Sequence, residues 1–180
     1  MNETYIIFEG AIDQQATSRL FQSIDKLTKS GSQKIILFFS SLGGNIYEGF
    51  LLASIIQNSK VPVLIHATNH IDSIANVIYL SAKERTSESH AKFYLHGATA
   101  QGTFDEKGLK DQLSSIKTNN SRIAYYVSEN SKLALKKVQG MMEVGTTISA
   151  QQAMKHGIVN RIAHTEIPAD ANREEIIYIN

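Results

Sequence analysis

Ser73 and His96 are two side chains whose types and positions could support nucleophilic chemistry. Ser73 follows a predicted strand at 61–67 and begins a predicted helix at 73–82, which would expose its hydroxyl above the sheet. His96 comes at the carboxyl end of a short predicted strand at 91–95. A serine needs an adjacent base to become nucleophilic at neutral pH, and an imidazole can supply it. Because ligand crevices of open α/β sheets lie beyond the carboxyl ends of the strands, the topology could bring these two side chains together.

A third feature is the turn 41–44, Ser-Leu-Gly-Gly, between a buried strand at 34–39 and a helix at 46–57. Glycines there let backbone N–H groups approach a ligand closely, and the helix N-terminus favours negative charge. An oxyanion hole for acyl transfer needs both properties. Each feature alone also has an ordinary explanation: a tight turn, an N-cap serine, or one non-catalytic histidine among six.

The surrounding pattern predicts the elements that must position these residues. Apolar runs typical of strands cover 5–8, 34–39, 61–67 and 91–95, and helical spacing covers 14–27, 46–57 and 73–82. Strands that alternate with helices predict a largely parallel sheet with crossover helices. One long helix is expected at 105–128, followed by helices at 133–140 and 149–157.

Composition excludes several classes of protein. The 180 residues suit one domain, 1–180, and their 42% hydrophobic content is too apolar for disorder. With no cysteine, disulfides, thiolate metal sites and cysteine nucleophiles are excluded, and no metal or cofactor is expected. The net charge of +1 without a basic cluster argues against a nucleic-acid partner. No signal peptide and no membrane-spanning run is evident, so a cytoplasmic protein without a membrane partner is expected.

Four segments together resemble the proteolytic subunits of the Clp protease, within the Clp-protease/crotonase superfamily. The turn 41–45 is similar to the family's S-P-G-G-S, and Ser73-Ile74 falls where the family has the nucleophile of G-x-A-A-S-M. Leu95-His96 resembles the family's I-H, which presents the base. The segment 149–162 is similar to the closing motif S-A-x-x-A-x-x-x-G-L-I-D-x-I. The resemblance covers 5–162 in order.

The resemblance implies a fold, a set of roles and partners. The fold would be ClpP/crotonase-like α/β, a mostly parallel sheet with crossover helices and a long handle helix in a handle region at about 97–130. Ser73 would be the nucleophile and His96 its general base, and the N–H groups of Gly44 and Ile74 would form the oxyanion hole. The substrate would be a peptide or unfolded polypeptide. Copies of the chain would form a homo-oligomeric ring, and the handle would join two rings face to face.

The chain departs from the family at the third member of the catalytic triad. The family has an Asp shortly before the closing motif, and Gly145 takes its place here. Glu143 is the nearest carboxylate in sequence, but on an extended segment its side chain should only roughly share that direction. The Nδ1 atom of His96 is then expected to bond to a backbone carbonyl, to water or to Glu143. Leu42 and Asp72 also replace a proline and an alanine of the family.

The resulting prediction is a Clp-type serine endopeptidase with an acyl-enzyme at Ser73, of reduced or absent activity because Gly145 replaces the Asp. Losing only that Asp costs about 10⁴ in kcat, which leaves residual catalysis. Two alternatives stay open: a catalytically silent ring subunit, and a crotonase-like acyl-CoA enzyme with the same fold and oxyanion geometry. Since only Met1 to Thr4 precede the first predicted strand, cooperation with a Clp ATPase in the usual way is not expected.

Overall fold

The computed structural model describes residues 3–171 and 173–177. In this part of the chain, strands and helices alternate from the N-terminus. The strands are β1 (Glu3–Glu9), β2 (Lys34–Ser41), β3 (Val63–Asp72), β4 (Glu84–Ser87), β5 (Lys92–Leu95), β6 (Thr146–Ser149), β7 (Arg161–Ile162) and β8 (Arg173–Ile177). The helices are α1 (Gln14–Lys29), α2 (Ile46–Gln57), α3 (Ala75–Ser81), α4 (Glu106–Glu129), α5 (Leu135–Val144) and α6 (Ala150–Lys155).

The strands form one sheet in the order β6-β5-β3-β2-β1-β8, and β4 pairs with β3 and with β7. The pairs β1–β2, β2–β3 and β3–β5 are parallel, whereas β5–β6 is antiparallel. Strand β3 is shared along its length: its first part pairs with β4 and its last part, from His70 to Asp72, pairs with β5. The predicted fold, a mostly parallel sheet with crossover helices, is confirmed.

Both faces of the central strands are covered. On one face, Leu37, Phe39 and Ile65 belong to the main core, together with the buried stripe of α1. On the other face, Phe38 and Leu64 form a smaller cluster that packs against Ile167 from the C-terminal segment. This double burial explains why β2 is a continuous apolar run rather than an alternating one.

Helix α4 has the bounds that the sequence predicts to within a residue. The Asp105 side chain caps it by accepting a hydrogen bond from the N–H of Gly108 at 2.7 Å. Its last turns bury Ile123, Ala124 and Val127, while its first half projects away from the core. None of the helices in the described ranges, α4 included, is long and apolar enough to cross a membrane.

Three of the predicted boundaries near the candidate site are wrong. Strand β3 extends to Asp72 instead of ending at Ala67, because backbone pairing with β5 holds its polar last residues in the sheet. Helix α3 therefore begins at Ala75, after Ser73 rather than at it. Helix α5 extends to Val144, so Glu143 lies on a helix and not on an extended segment.

Tyr79 of α3 ties together three elements behind the candidate site. Its side chain is fully buried, and its hydroxyl donates a 2.8 Å hydrogen bond to the carbonyl of Thr86 in β4. Its ring meets Phe93 of β5 edge-on, with centroids 5.3 Å apart. Burial raises the pKa of Tyr79, which keeps the phenol protonated as a donor.

Replacing Tyr79 by Phe should therefore destabilise the protein through one lost hydrogen bond. The ring and its packing remain, but the buried carbonyl of Thr86 loses its donor, which should cost about 1–3 kcal/mol. The measurement is urea unfolding followed by circular dichroism. The matched control is Tyr125→Phe, at a tyrosine that is 55% exposed, where a change within about 0.5 kcal/mol is expected. Equal unfolding midpoints for the two variants would contradict this role of Tyr79.

Candidate active site

Ser73 occupies a strained turn between β3 and α3. Its φ is +58°, and it is the one non-glycine residue in the described part of the chain with a positive φ. Such a backbone typically costs about 1–3 kcal/mol and persists only where its surroundings impose it. The N–H of Ser73 donates a 2.8 Å hydrogen bond to the carbonyl of Tyr94, which ties the turn to β5. Ile74, not Ser73, is the N-cap residue of α3, so the serine is free of the ordinary capping role.

Asn76 holds this turn in place. Its side-chain amide is 1% exposed and donates to the carbonyls of Ile71, Ser73 and Tyr94 at 2.9, 3.1 and 2.9 Å. One amide thus connects the end of β3, the strained turn and β5. The sequence prediction missed Asn76, although a single amide inside the apolar run 74–80 is the signal that could have revealed it.

The glycine turn packs directly against Ser73. A Cβ built on Gly43 would lie 2.6 Å from the Cβ of Ser73, so only glycine fits there. The turn is also tied to Ile12, whose N–H donates to the Gly43 carbonyl at 2.9 Å and whose carbonyl accepts from the N–H of Asn45 at 2.7 Å. The N–H of Gly44 takes part in neither of these two hydrogen bonds. The structure thus brings the predicted oxyanion turn beside the predicted nucleophile.

His96 lies at the end of β5, next to the strand end that carries Ser73. Its ring stacks on Tyr94, with centroids 4.8 Å apart and an interplanar angle of 20°. The following loop is held from two sides, because Gly97 N–H donates to Met142 of α5 at 3.0 Å and Ala98 N–H donates to the Asn120 side chain of α4 at 2.6 Å.

The His96 ring and the Ser73 hydroxyl make no hydrogen bond, to each other or to any other residue that the structure describes. The predicted bond from Nδ1 of His96 to a backbone carbonyl or to Glu143 is therefore not formed. Glu143 is nevertheless nearby, because it lines the same cavity of about 560 Å³ as His96. Helices α4 and α5 form the other walls of this cavity with Asn120, Ala124 and Gln139.

Gly145 ends α5 with a φ of +69° and lies against Tyr94. A Cβ at this position would come within 2.7 Å of the phenol oxygen of Tyr94. Position 145 therefore has no space for a side chain while Tyr94 keeps this rotamer.

Asp72 adds a carboxylate immediately before Ser73. Its side chain is 15% exposed, and its Oδ2 lies 3.4 Å from Nδ1 of His70. Burial raises the pKa of Asp72, and the positive groups of His70 and Lys92 oppose that shift. Within the described ranges, no cluster of three His, Asp or Glu side chains is arranged to hold a metal ion.

Comparison with known proteins identifies the family of this chain. The family model of the Clp protease matches residues 1–166. The chain belongs to the Clp protease family. Among curated members of the family, an ATP-dependent Clp protease proteolytic subunit 3 from Rhizobium etli is 22% identical, over 89% of this chain and 84% of the relative. A subunit 2 from Pseudomonas aeruginosa is 20% identical, over 89% of this chain and 81% of its own length.

The fold is also that of a solved Clp protease family structure. A ClpP1 mutant from Listeria monocytogenes superposes with a TM-score of 0.82 at 20% sequence identity, covering 89% of this chain and 91% of the other. At this level of identity the likeness establishes the shared α/β fold. The roles of individual residues have to be argued from the geometry of this chain.

The raised pKa of Asp72 leads to a pH-dependent prediction. The native state binds this proton more tightly than the unfolded chain, so stability from Asp72 is full below the ordinary carboxyl pKa and is lost as the pH rises through the raised native pKa. Asp72→Asn stays neutral at every pH and should raise the Tm at about pH 7, which lies well above the ordinary carboxyl pKa, so that the wild type has lost stability there relative to low pH.

The Tm difference between wild type and Asp72→Asn should disappear at about pH 3, where the wild-type carboxyl is protonated in both states. Differential scanning calorimetry at several pH values measures it. Asp111→Asn, at an exposed position of α4, is the control for loss of one negative charge. A Tm gain for Asp72→Asn that is equal at both pH values would show that burial of the charge is not the cause.

Proposed function

We propose that this chain is a Clp-type serine peptidase that cleaves peptide bonds through an acyl-enzyme at Ser73, with His96 as the general base. The observation that carries the proposal is the positive-φ turn at Ser73 in contact with Gly43 of the glycine turn. A strained strand-to-helix turn exposes a serine hydroxyl, and a neighbouring glycine turn supplies backbone N–H donors close to it. Membership of the Clp protease family supports the same chemistry.

In the proposed reaction, the hydroxyl oxygen of Ser73 attacks the carbonyl carbon of the peptide bond while His96 takes the hydroxyl proton. The N–H groups of Gly44 and Ile74 stabilise the negative oxygen of the tetrahedral intermediate. His96 then gives the proton to the leaving amine, which yields an ester on Ser73. Water hydrolyses that ester, with His96 again acting as the base.

The reaction requires His96 and the Ser73 hydroxyl to come within hydrogen-bond distance, about 2.6–3.2 Å between heavy atoms. Catalytic hydrogen bonds of unliganded enzymes are often long and shorten when substrate binds, so their absence here is compatible with the proposal. The cavity that His96 shares with α4 and α5 offers space for a substrate side chain beside the base. We propose a peptide or an unfolded polypeptide as the substrate.

The nucleophile can be tested with a fluorophosphonate probe and intact-mass measurement. The wild type should gain one adduct, slowly because no carboxylate of the described residues contacts His96, and Ser73→Ala should gain none. The matched control is Ser149→Ala: Ser149 also lies between a strand and a helix, but its side chain caps α6 in a capping box. This control should be labelled like the wild type.

Two outcomes would contradict the proposal in different ways. Labelling that persists in Ser73→Ala would show that another residue is the nucleophile. If the wild type stays unlabelled at high probe concentration and long incubation, and cleaves no short fluorogenic peptide, the peptidase proposal fails and the alternative of a catalytically silent subunit is favoured.

We also propose that the chain forms a homo-oligomeric ring and that two rings stack through α4. The family resemblance leads to this expectation, and the surface of α4 supports it. Leu109 and Leu113 on its first half are 57% and 52% exposed, an apolar surface that a partner would cover. Burying a leucine side chain at such an interface contributes about 1.5–3 kcal/mol.

A charge placed on that surface should separate the stacked rings. Leu113→Asp is expected to lower the mass measured by light scattering from a double ring to a single ring, because it puts a carboxylate where an apolar contact is proposed. Ser114→Asp places the same charge at the next exposed position of α4 and should leave the mass unchanged. A monomeric wild type at micromolar concentration would rule out the ring.

A further inference from the structure

The side chain of Tyr94 touches both the proposed base and the position where the family has its acid. One face of the ring stacks on His96 with centroids 4.8 Å apart. Its phenol oxygen occupies the space into which a Cβ at position 145 would project, at 2.7 Å. The phenol oxygen of Tyr94 therefore fills the space beside Gly145, the position where the family has Asp.

The backbone of Tyr94 is bound to the nucleophile turn. Its carbonyl accepts hydrogen bonds from the N–H of Ser73 at 2.8 Å and from the Asn76 amide at 2.9 Å. One residue thus contacts the Ser73 turn through its main chain and His96 through its side chain. A change in the position of β5 would move both together.

We propose that Tyr94 is the positioning residue for His96. Its ring performs one task of the family's Asp, which is to orient the imidazole, and its phenol oxygen fills the space beside Gly145. The inference rests on the proposed role of His96 as the base. An aromatic ring stacked on an imidazole holds the plane of the imidazole but presents no acceptor to Nδ1. Tyr94 can therefore orient His96 without stabilising the imidazolium, which predicts a retained geometry together with a slow reaction.

The contact between Tyr94 and Gly145 predicts what happens when an Asp is placed at position 145. Gly145→Asp alone should not raise the rate, because the φ of +69° strains a side chain at this position and the new Cβ would also collide with the phenol oxygen of Tyr94. The backbone strain is the same when Tyr94 is changed, so only the collision differs between the single and the double variant. Removing only that oxygen with Tyr94→Phe opens the space, since the next ring atoms lie at 3.5 Å, an ordinary contact distance. The double variant should therefore gain where the single Gly145→Asp variant does not.

A double-mutant cycle tests this coupling through the rate at which the fluorophosphonate labels Ser73. Tyr94→Phe keeps the stacked ring and should stay within about threefold of the wild type, whereas Tyr94→Leu should lose about threefold to tenfold, the range of an aromatic pair. Tyr94→Phe/Gly145→Asp should exceed Gly145→Asp by about tenfold or more, a part of the about 10⁴ that a triad Asp supplies. Thermal melts of all variants check that they fold.

A second readout does not depend on activity. In a Ser73→Ala background, the ring protons of His96 should be shifted upfield in the NMR spectrum by the Tyr94 ring current, with His96→Gln used to assign the signal. Tyr94→Leu should abolish the shift, and Tyr94→Phe should preserve it. Because the shift is already measurable with Tyr94 in place, the test holds even if Tyr94→Leu does not fold.

The outcomes separate this inference from the proposed function. If Ser73 is never labelled but the His96 signal moves only in Tyr94→Leu, the positioning holds and the peptidase proposal fails. If the His96 signal shows no ring-current shift, or if Gly145→Asp alone accelerates labelling, the role of Tyr94 is overturned. Labelling rates that are equal in Tyr94→Leu and Tyr94→Phe would overturn it as well.

Discussion

The geometry of this site depends on the hydrogen bonds that the Asn76 amide donates. From a buried position in α3 it donates to the carbonyls of Ile71 near the end of β3, of Ser73 itself and of Tyr94 in β5. These three carbonyls belong to segments that must meet for Ser73 to adopt a positive φ. The cost of that backbone is offset by hydrogen bonds that exist only when both strands are in register, so the strained turn and the sheet form as one unit.

Unsatisfied polar atoms are concentrated at the same place. Asp72 Oδ1 and Asn76 Oδ1 are buried without a hydrogen bond in the described part of the chain, and the buried His70 Nδ1 has only the long 3.4 Å contact with Asp72 Oδ2. Only Thr17 adds another such unpaired atom there. Each of these atoms costs free energy that a purely structural turn would avoid. Proteins usually accept such costs where a ligand or a reaction needs the arrangement. The distribution of strain therefore points to the same turn as the catalytic argument.

The missing acid changes what the site can do. In a serine triad the carboxylate both orients the imidazole and stabilises its charged form. Here the two tasks are separated: a ring stack is available for the orientation, and the described residues provide no carboxylate in contact with His96 for the charge. Asp72 does not replace it, because its Oδ2 faces His70 instead. For the proposed acyl transfer at Ser73, this arrangement predicts a slow reaction.

The alternation of apolar strands and helices and the position of α4 follow from local patterns, so the sequence alone was enough to predict the class of fold. The family followed from the resemblance of four motifs, among them the glycine turn and the segments of Ser73 and His96. Those patterns are read within short windows, in which periodicity and turn residues are visible.

The last residues of β3 were not predictable, since polar residues enter the sheet only when β5 is present to pair with them. The helical position of Glu143 was not predicted either. The contact of Tyr94 with Gly145 was equally hidden, because it joins side chains on β5 and at the end of α5 that only tertiary packing brings together. The sequence by itself determined which residues could do the chemistry. The tertiary structure decided how they are positioned, because that depends on contacts between residues far apart in the chain.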